Sequence, residues 1–113
     1  DLHSFPTRRS SDLEIDIFVS LGTAGVVEAM EKGESLQYIR KEEEGTKILL
    51  DYLRNETDKS DSQTANVFIT HDACIAPAIN FLIGEFFNQE HWIEFLGGLR
   101  IDFDTNTLTI KRI

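Results

Sequence analysis

Asn66-Val67-Phe68-Ile69-Thr70-His71-Asp72-Ala73-Cys74-Ile75-Ala76-Pro77 is the stretch on which the architecture turns. Its first five residues are β-branched or aromatic and short in span, which predicts a buried strand over 66–70. The apolar run from Ala73 to Phe87 is long enough for a helix. Pro77 has no amide hydrogen and suits a first helical turn, so an irregular helix start is expected there. A strand that stops and becomes a helix sets its last side chains at the carboxyl edge of a sheet. In α/β folds that edge is where ligands bind. His71 and Asp72 stand at the corner, side by side.

Working upstream, Gly45 sits inside a predicted helix from Ser35 to Glu56, with Leu36, Ile39, Leu50 and Leu53 as its apolar face. A glycine there weakens the helix by about 1 kcal/mol relative to alanine and marks a possible break. Lys41-Glu42-Glu43-Glu44 reads as a solvated face. A shorter helix, Ala24 to Lys32, is bracketed by Thr23 as N-cap and Gly33 as C-cap. Ile15, Ile17 and Val19 alternate, which predicts a strand over 14–20. Thr57 to Ala65 is polar and reads as a surface loop. Downstream, His91 to Leu96 reads as a short helix, followed by Gly97-Gly98. Leu99, Ile101 and Phe103 then alternate, Asp104-Thr105-Asn106 turns the chain, and Leu108 and Ile110 alternate again, a terminal β-hairpin. Helices around a few strands predict an α/β layer fold.

Residues 1–13, Asp-Leu-His-Ser-Phe-Pro-Thr-Arg-Arg-Ser-Ser-Asp-Leu, are similar throughout to the conceptual translation of a sequencing-library adapter. They are expected to be an artefact joined to a truncated reading frame, and His3, Arg8 and Arg9 receive no functional role. Residues 14–113 suffice for one small domain. The net charge is −9, and the first thirteen residues hold two acidic and two basic side chains, so the acidity lies in 14–113. That balance argues against a nucleic-acid or anionic-membrane partner, yet permits an anionic substrate in a local positive pocket. One cysteine excludes an intrachain disulfide. No apolar stretch approaches the length of a membrane span.

Phosphate oxygens want hydrogen-bond donors and positive charge. The amino end of the helix after Asp72 is expected to supply free amides and a partial positive charge. A protonated His71 adds a charge-assisted donor, and Asp72 is positioned to protonate a leaving oxygen where an apolar or anionic environment raises its pKa. The plainer alternatives are a histidine that hydrogen-bonds a backbone carbonyl and an aspartate that only caps its helix. The chain has no evident nucleophile, which ester cleavage at phosphorus needs.

Two segments resemble the histidine phosphatases, a family with a phosphoglycerate-mutase-like fold. Phe68 to Pro77 is similar to that family's second-histidine motif, in the His-Asp form of its acid-phosphatase branch. Gly33-Glu34-Ser35-Leu36 followed by Arg40 resembles a helix-opening motif commoner in the mutase-like branch. Trp92 to Leu99 and the hairpin resemble the way such chains finish. The resemblance implies a partial phosphoglycerate-mutase-like α/β sandwich, with 14–113 the C-terminal part of a single domain. It implies a phosphate pocket at His71, a general acid at Asp72, a small-molecule phosphate ester as substrate, and no metal or other cofactor. The family's nucleophile is a histidine in an Arg-His-Gly motif, which this sequence lacks. The adapter reading places that motif upstream of the truncation. The chain as given is therefore expected to be inactive and its parent a phosphomonoesterase.

Three further residues carry two readings each. Cys74 is either a reactive thiol at a helix start or a small core residue, and the core reading is preferred. Trp92 either stacks on substrate or packs among Ile93, Phe95 and Leu96, with packing preferred. Arg100 alternates with Leu99 and Ile101 and is expected to face solvent. A metal-dependent His-Asp phosphohydrolase needs more histidines and aspartates than the chain offers. A non-catalytic domain that binds a phosphorylated ligand or a protein needs no nucleophile and remains the alternative function.

Overall fold

In the computed structural model, which describes residues 2–4, 12–36, 39–60, 65–104 and 107–113 and only the backbone of 2–4 and 12–20, strand and helix do meet at His71. The strand is β2 (Val67–Ile69) and the helix is α3 (Asp72–Ile83). The first strand, β1 (Leu2–Ser4), lies in the adapter-like segment. It pairs with β2 in parallel, Leu2 beside Val67, His3 beside Phe68 and Ser4 beside Ile69. Arg8 and Arg9 fall outside the described residues. β2 departs from the buried strand of the sequence reading. Phe68 points into the core, but Val67 and Ile69 are 55% and 54% exposed. The side chains of a strand alternate between two faces, and the face carrying Val67 and Ile69 is left largely to solvent.

α3 is the central element, packed between α1 (Asp12–Glu31) on one side and α2 (Glu42–Asp58) on the other. Val27 of α1, Ala76 and Ile79 of α3, and Phe87 beyond it form one buried cluster, with Ile75, Trp92, Ile93 and Leu99 against it. Leu49 and Leu53 of α2 and Ala78 of α3 form a second, with Tyr52, Phe68, Ile101 and Phe103 against it. The small residues Ala76, Pro77 and Ala78 let both flanking helices approach α3. Pro77 lies inside α3 rather than in its first turn, and the helix starts regularly at Asp72. The ring leaves the Ala73 carbonyl without its usual helical donor. Gly84 ends the helix in the left-handed conformation, its N–H donating to the Asn80 carbonyl at 2.8 Å. This is the common glycine stop.

The strand expected over 14–20 is helical and belongs to α1. Among the described residues nothing pairs with it, and an unpartnered strand leaves its backbone polar groups unsatisfied where a helix satisfies them internally. Gly22, at φ 73° and ψ 161°, divides α1 into two helical stretches. The second of these is the expected helix that stops at Gly33, which has φ 77°. α2 starts at Glu42, not Ser35; Leu36 and Ile39 sit in a turn closed by Ile39 N–H on the Leu36 carbonyl, 3.2 Å. Glu42, Glu43 and Glu44 favour the positive end of a helix dipole, and they mark its actual beginning. Gly45 therefore falls in the first turn and breaks nothing. The buried face is Thr46, Leu49 and Leu53, while Leu50 is half-buried. The loop expected over 57–65 begins only after Asp58, and 61–64 lie outside the described residues.

The short helix expected over 91–96 is absent; 84–98 is irregular, with a bend at 89–91 and a turn at 95–96. Asn88 closes a local turn there: its side-chain oxygen accepts the amides of Glu90 (2.9 Å) and His91 (2.8 Å). Its own amide donates forward to the His91 carbonyl at 2.9 Å, the reverse of the helical direction, which turns that carbonyl away from the residues a helix would bring to it. The terminal hairpin is as the alternation predicts: β3 (Leu99–Phe103) pairs antiparallel with β4 (Leu108–Arg112), Ile101 opposite Ile110. Its turn residues 105–106 lie outside the described residues. The whole is a mixed arrangement of three helices and two small two-stranded sheets among the described residues.

Candidate functional site

The corner between β2 and α3 holds the two residues singled out by the sequence. His71 is the N-cap of α3, with extended backbone at φ −79° and ψ 151°, and Asp72 is its first helical residue. Both side chains are exposed. Neither caps the helix in the usual way. The imidazole of His71 makes no capping hydrogen bond, and its backbone carbonyl accepts from the amides of Cys74 (2.9 Å) and Ile75 (3.1 Å). Asp72 Oδ1 accepts from the next amide, Ala73, at 2.8 Å. The amides expected to be free for an anion at Ala73, Cys74 and Ile75 are thus already engaged. An incoming phosphate oxygen has to take the Ala73 N–H from Asp72, while the imidazole is available as it stands.

The second carboxylate oxygen brings in a residue the sequence reading had assigned to packing. Trp92 Nε1–H donates to Asp72 Oδ2 at 3.0 Å. The indole also packs edge-on against Phe87, with ring centroids 6.2 Å apart and planes at 79°. Phe87 is fully buried, and its amide donates to Glu31 Oε1 at 2.7 Å. Trp92 packs, as expected, but on the Phe87 cluster beside Ile93; Phe95 and Leu96, expected around it, are 94% and 83% exposed, and its polar edge bonds Asp72. One signal was available: a tryptophan at a half-buried position needs an acceptor for its N–H, and acidic side chains are abundant here.

Cys74 is half-buried one turn into α3, and burial pushes its thiol above the ordinary range. That is the opposite of a reactive, low-pKa cysteine. Arg100 is exposed and sits 3.4 Å from Asp102, in line with its expected solvent-facing position. His91 is exposed, stacks on Phe87 at 5.5 Å, and meets Glu85 Oε2 at 3.0 Å. It belongs to the packing of 84–98.

The Gly33-Glu34-Ser35-Leu36 and Arg40 segment lies elsewhere, between α1 and α2. There Met30, Leu36 and Ile39 with Glu34, Ser35, Arg40 and Lys41 line a cleft of about 60 Å³. Neither His71 nor Asp72 lines it, and a cleft of that size is well short of the usual ligand pocket of a few hundred Å³. Arg40 is taken up by Glu44 at 2.7 Å. Nearby, the Glu42 carboxyl is pushed up to about 7 by burial, with the charge of Glu31 adding to the effect. Its Oε2 is buried without a hydrogen-bond partner among the described residues. Glu31 is also raised, chiefly by burial, against the opposing pull of the Phe87 amide.

No group of three or more His, Cys, Asp and Glu side chains with the placement of a metal site occurs among the described residues. No described helix is long and apolar enough to cross a membrane. Set beside known proteins, the chain matches no protein-family model, no curated protein and no solved structure.

Proposed function

We propose that residues 14–113 are the C-terminal part of a histidine phosphatase domain with a phosphoglycerate-mutase-like α/β sandwich, whose complete form hydrolyses small phosphate monoesters through a phosphohistidine. His71 binds the phosphoryl group and Asp72 is the general acid. In the first step a histidine outside this chain attacks phosphorus, the ester P–O bond breaks, and Asp72 gives its proton to the leaving oxygen. In the second, water attacks the phosphohistidine, its proton passes to Asp72, and phosphate leaves with the histidine restored. No metal or cofactor enters either step. The observation that carries this reading is the placement of His71, whose imidazole makes no capping hydrogen bond, and Asp72 in succession at the start of α3, two residues after β2 ends.

The test has two parts. Inorganic phosphate added to the 113-residue chain is expected to move the His71 ring and Ala73 amide resonances together; both standing still removes the phosphate pocket. The uninterrupted gene is expected to carry Arg-His-Gly after an upstream strand and to yield an acid-labile phosphoenzyme. There Asp72→Asn slows turnover of alkyl phosphates more than of aryl phosphates with good leaving groups, and His71→Ala weakens both binding and turnover. An intact gene without that motif, but with phosphate still bound at His71, supports the non-catalytic binding domain instead.

A further inference from the structure

Asp72 is held from two sides by donors of different kinds. The Ala73 amide on Oδ1 is part of the helix start, and it is the donor for which an arriving anion competes. The Trp92 indole on Oδ2 comes from twenty residues further along the chain. It has no other polar edge and no alternative use for its single donor. The indole is braced by the fully buried ring of Phe87 at 6.2 Å. Asp72 itself rides on α3, whose Ala76 and Ile79 belong to the same buried cluster as Phe87. Donor and acceptor are therefore mounted on one packed core, and the separation between them is set by that core rather than by two mobile surface side chains.

From this geometry we propose that Trp92 is a positioning residue, whose indole N–H fixes the direction in which the Asp72 carboxyl faces the strand-to-helix corner. The proposal rests on the reading of Asp72 as the proton donor of the site. A general acid must lie within hydrogen-bond reach of the oxygen it serves, and a displacement of about 1 Å costs on the order of a hundredfold in rate. A free aspartate side chain at an exposed helix start samples several rotamers. When a phosphate oxygen takes the Ala73 amide, the indole is the contact that remains to hold the carboxyl in place.

Trp92 is the sole tryptophan, so one indole resonance reports the contact without ambiguity. In the 113-residue chain its N–H is expected to exchange with solvent several-fold faster in Asp72→Ala. In Trp92→Phe, which keeps an aromatic ring against Phe87 and deletes the donor, the Hα–Hβ couplings of Asp72 are expected to change from a single-rotamer pattern to an averaged one. Phe87 keeps its contacts with Val27 and Ile79, read as unchanged nuclear Overhauser effects. Replacement of Trp92 by benzothienylalanine, which keeps the bicyclic shape and lacks the N–H, is expected to give the same averaging. This separates the hydrogen bond from packing even where Trp92→Phe loses its fold. Asp72 couplings unchanged with the sulfur isostere overturn the proposal, as does a wild-type indole N–H that exchanges like free tryptophan. Averaged Asp72 couplings together with a His71 ring indifferent to inorganic phosphate uphold the positioning contact and remove the phosphate reading on its own.

Discussion

The guanidinium of Arg112 meets the carboxylate of Glu85 at 2.8 Å, joining the last strand of the chain to the residue that follows the glycine stop of α3. The same guanidinium reaches Glu94 at 2.9 Å, donates to the carbonyl of Ile113 at 2.7 Å and lies 5.9 Å over the Phe87 ring. One cation thereby gathers β4, the irregular segment 84–98 and the core aromatic that braces Trp92. Only a fifth of the Arg112 side chain is exposed, at 21%.

Arg112→Ala is accordingly expected to destabilise the chain by about 1–2 kcal/mol, its incomplete burial placing it above an exposed ion pair and below a fully buried one. Amide exchange should accelerate first across 85–98. Arg112→Lys should recover little of the loss, because an ammonium cannot present the planar fork that serves Glu85 and Glu94 together. Chemical denaturation of the three proteins, with exchange measured residue by residue, checks both statements.

The pH dependence follows from two opposed groups of carboxylates. Arg112 holds Glu85 and Glu94 below the ordinary range through their hydrogen bonds. Their contribution is complete above the unfolded carboxylate pKa and is lost as pH falls through the lowered folded values. Glu42 has the reverse sign. Its folded value of about 7 exceeds the unfolded 4.5, so the native state binds the proton more tightly and stability falls as pH rises between the two. Glu42 keeps partial contact with solvent, which screens the effect to about 1 kcal/mol. Maximum thermal stability is therefore expected at about pH 5, with a decline toward pH 8. Glu42→Gln should flatten that decline and leave the acid limb unchanged; a wild-type melting temperature still rising from pH 5 to 8 refutes the assignment.

Two glycines of similar sequence context are expected to respond with opposite signs. Gly22 combines φ 73° with ψ 161°, a region in which residues with a Cβ are rarely found. Gly22→Ala should cost about 1–2 kcal/mol, although nothing lies within 4 Å of the added methyl. Gly45 lies in the regular first turn of α2, also with open space around it, so Gly45→Ala should gain about 0.5–1 kcal/mol. Thermal melts of the pair, run side by side, decide between a backbone effect and a packing effect.

The contrast between those glycines shows which parts of the fold were legible in the sequence. At the β2–α3 corner the order of elements was legible, since β-branched residues run up to His71, an apolar run follows and Gly84 stops it. The burial of β2 and the place of Pro77 were not, because both depend on what packs against the corner. The hairpin was equally legible, since its period-two alternation sets which face of each strand packs inward. Residues 14–20 were misread because alternation over Ile15, Ile17 and Val19 says nothing about whether a partner strand exists. The start of α2 was misplaced because Leu36 and Ile39 fit a helical face that the chain fills with a turn. The placement of His71 and Asp72 at the strand-to-helix corner was legible from the order of the residues around them. The contact from Trp92 was not, because it depends on how the turns at Asn88 bring residue 92 back over the first turn of α3. Nothing local in sequence encodes that return.

Thr46 is 2% exposed, and its hydroxyl oxygen has no hydrogen-bond partner among the described residues. Valine has nearly the same shape and no polar atom to desolvate. Thr46→Val is therefore expected to stabilise the chain by about 1 kcal/mol, read as a higher denaturation midpoint with an unchanged slope. Thr46→Ser keeps the hydroxyl and loses the methyl, and should destabilise by about the same amount. A destabilising Thr46→Val would mean that the hydroxyl bonds a carbonyl in solution.

The edge of β2 carries the last expectation. β1 covers one side of Val67–Ile69 through the parallel register Leu2 to Val67 and Ser4 to Ile69. Removing residues 1–13 leaves that backbone edge without its strand, next to the exposed side chains of Val67 and Ile69. An apolar, unpaired edge is a template for strand addition by another chain. The shortened chain 14–113 is expected to associate or to pack loosely at concentrations where the 113-residue chain does not. Ile69→Lys, which places a charge on that exposed face, should restore the monomer without repairing the core. Sedimentation of the three proteins measures this directly. A shortened chain that sediments as a monomer and melts in one sharp transition would show that β2 needs no neighbour on that side.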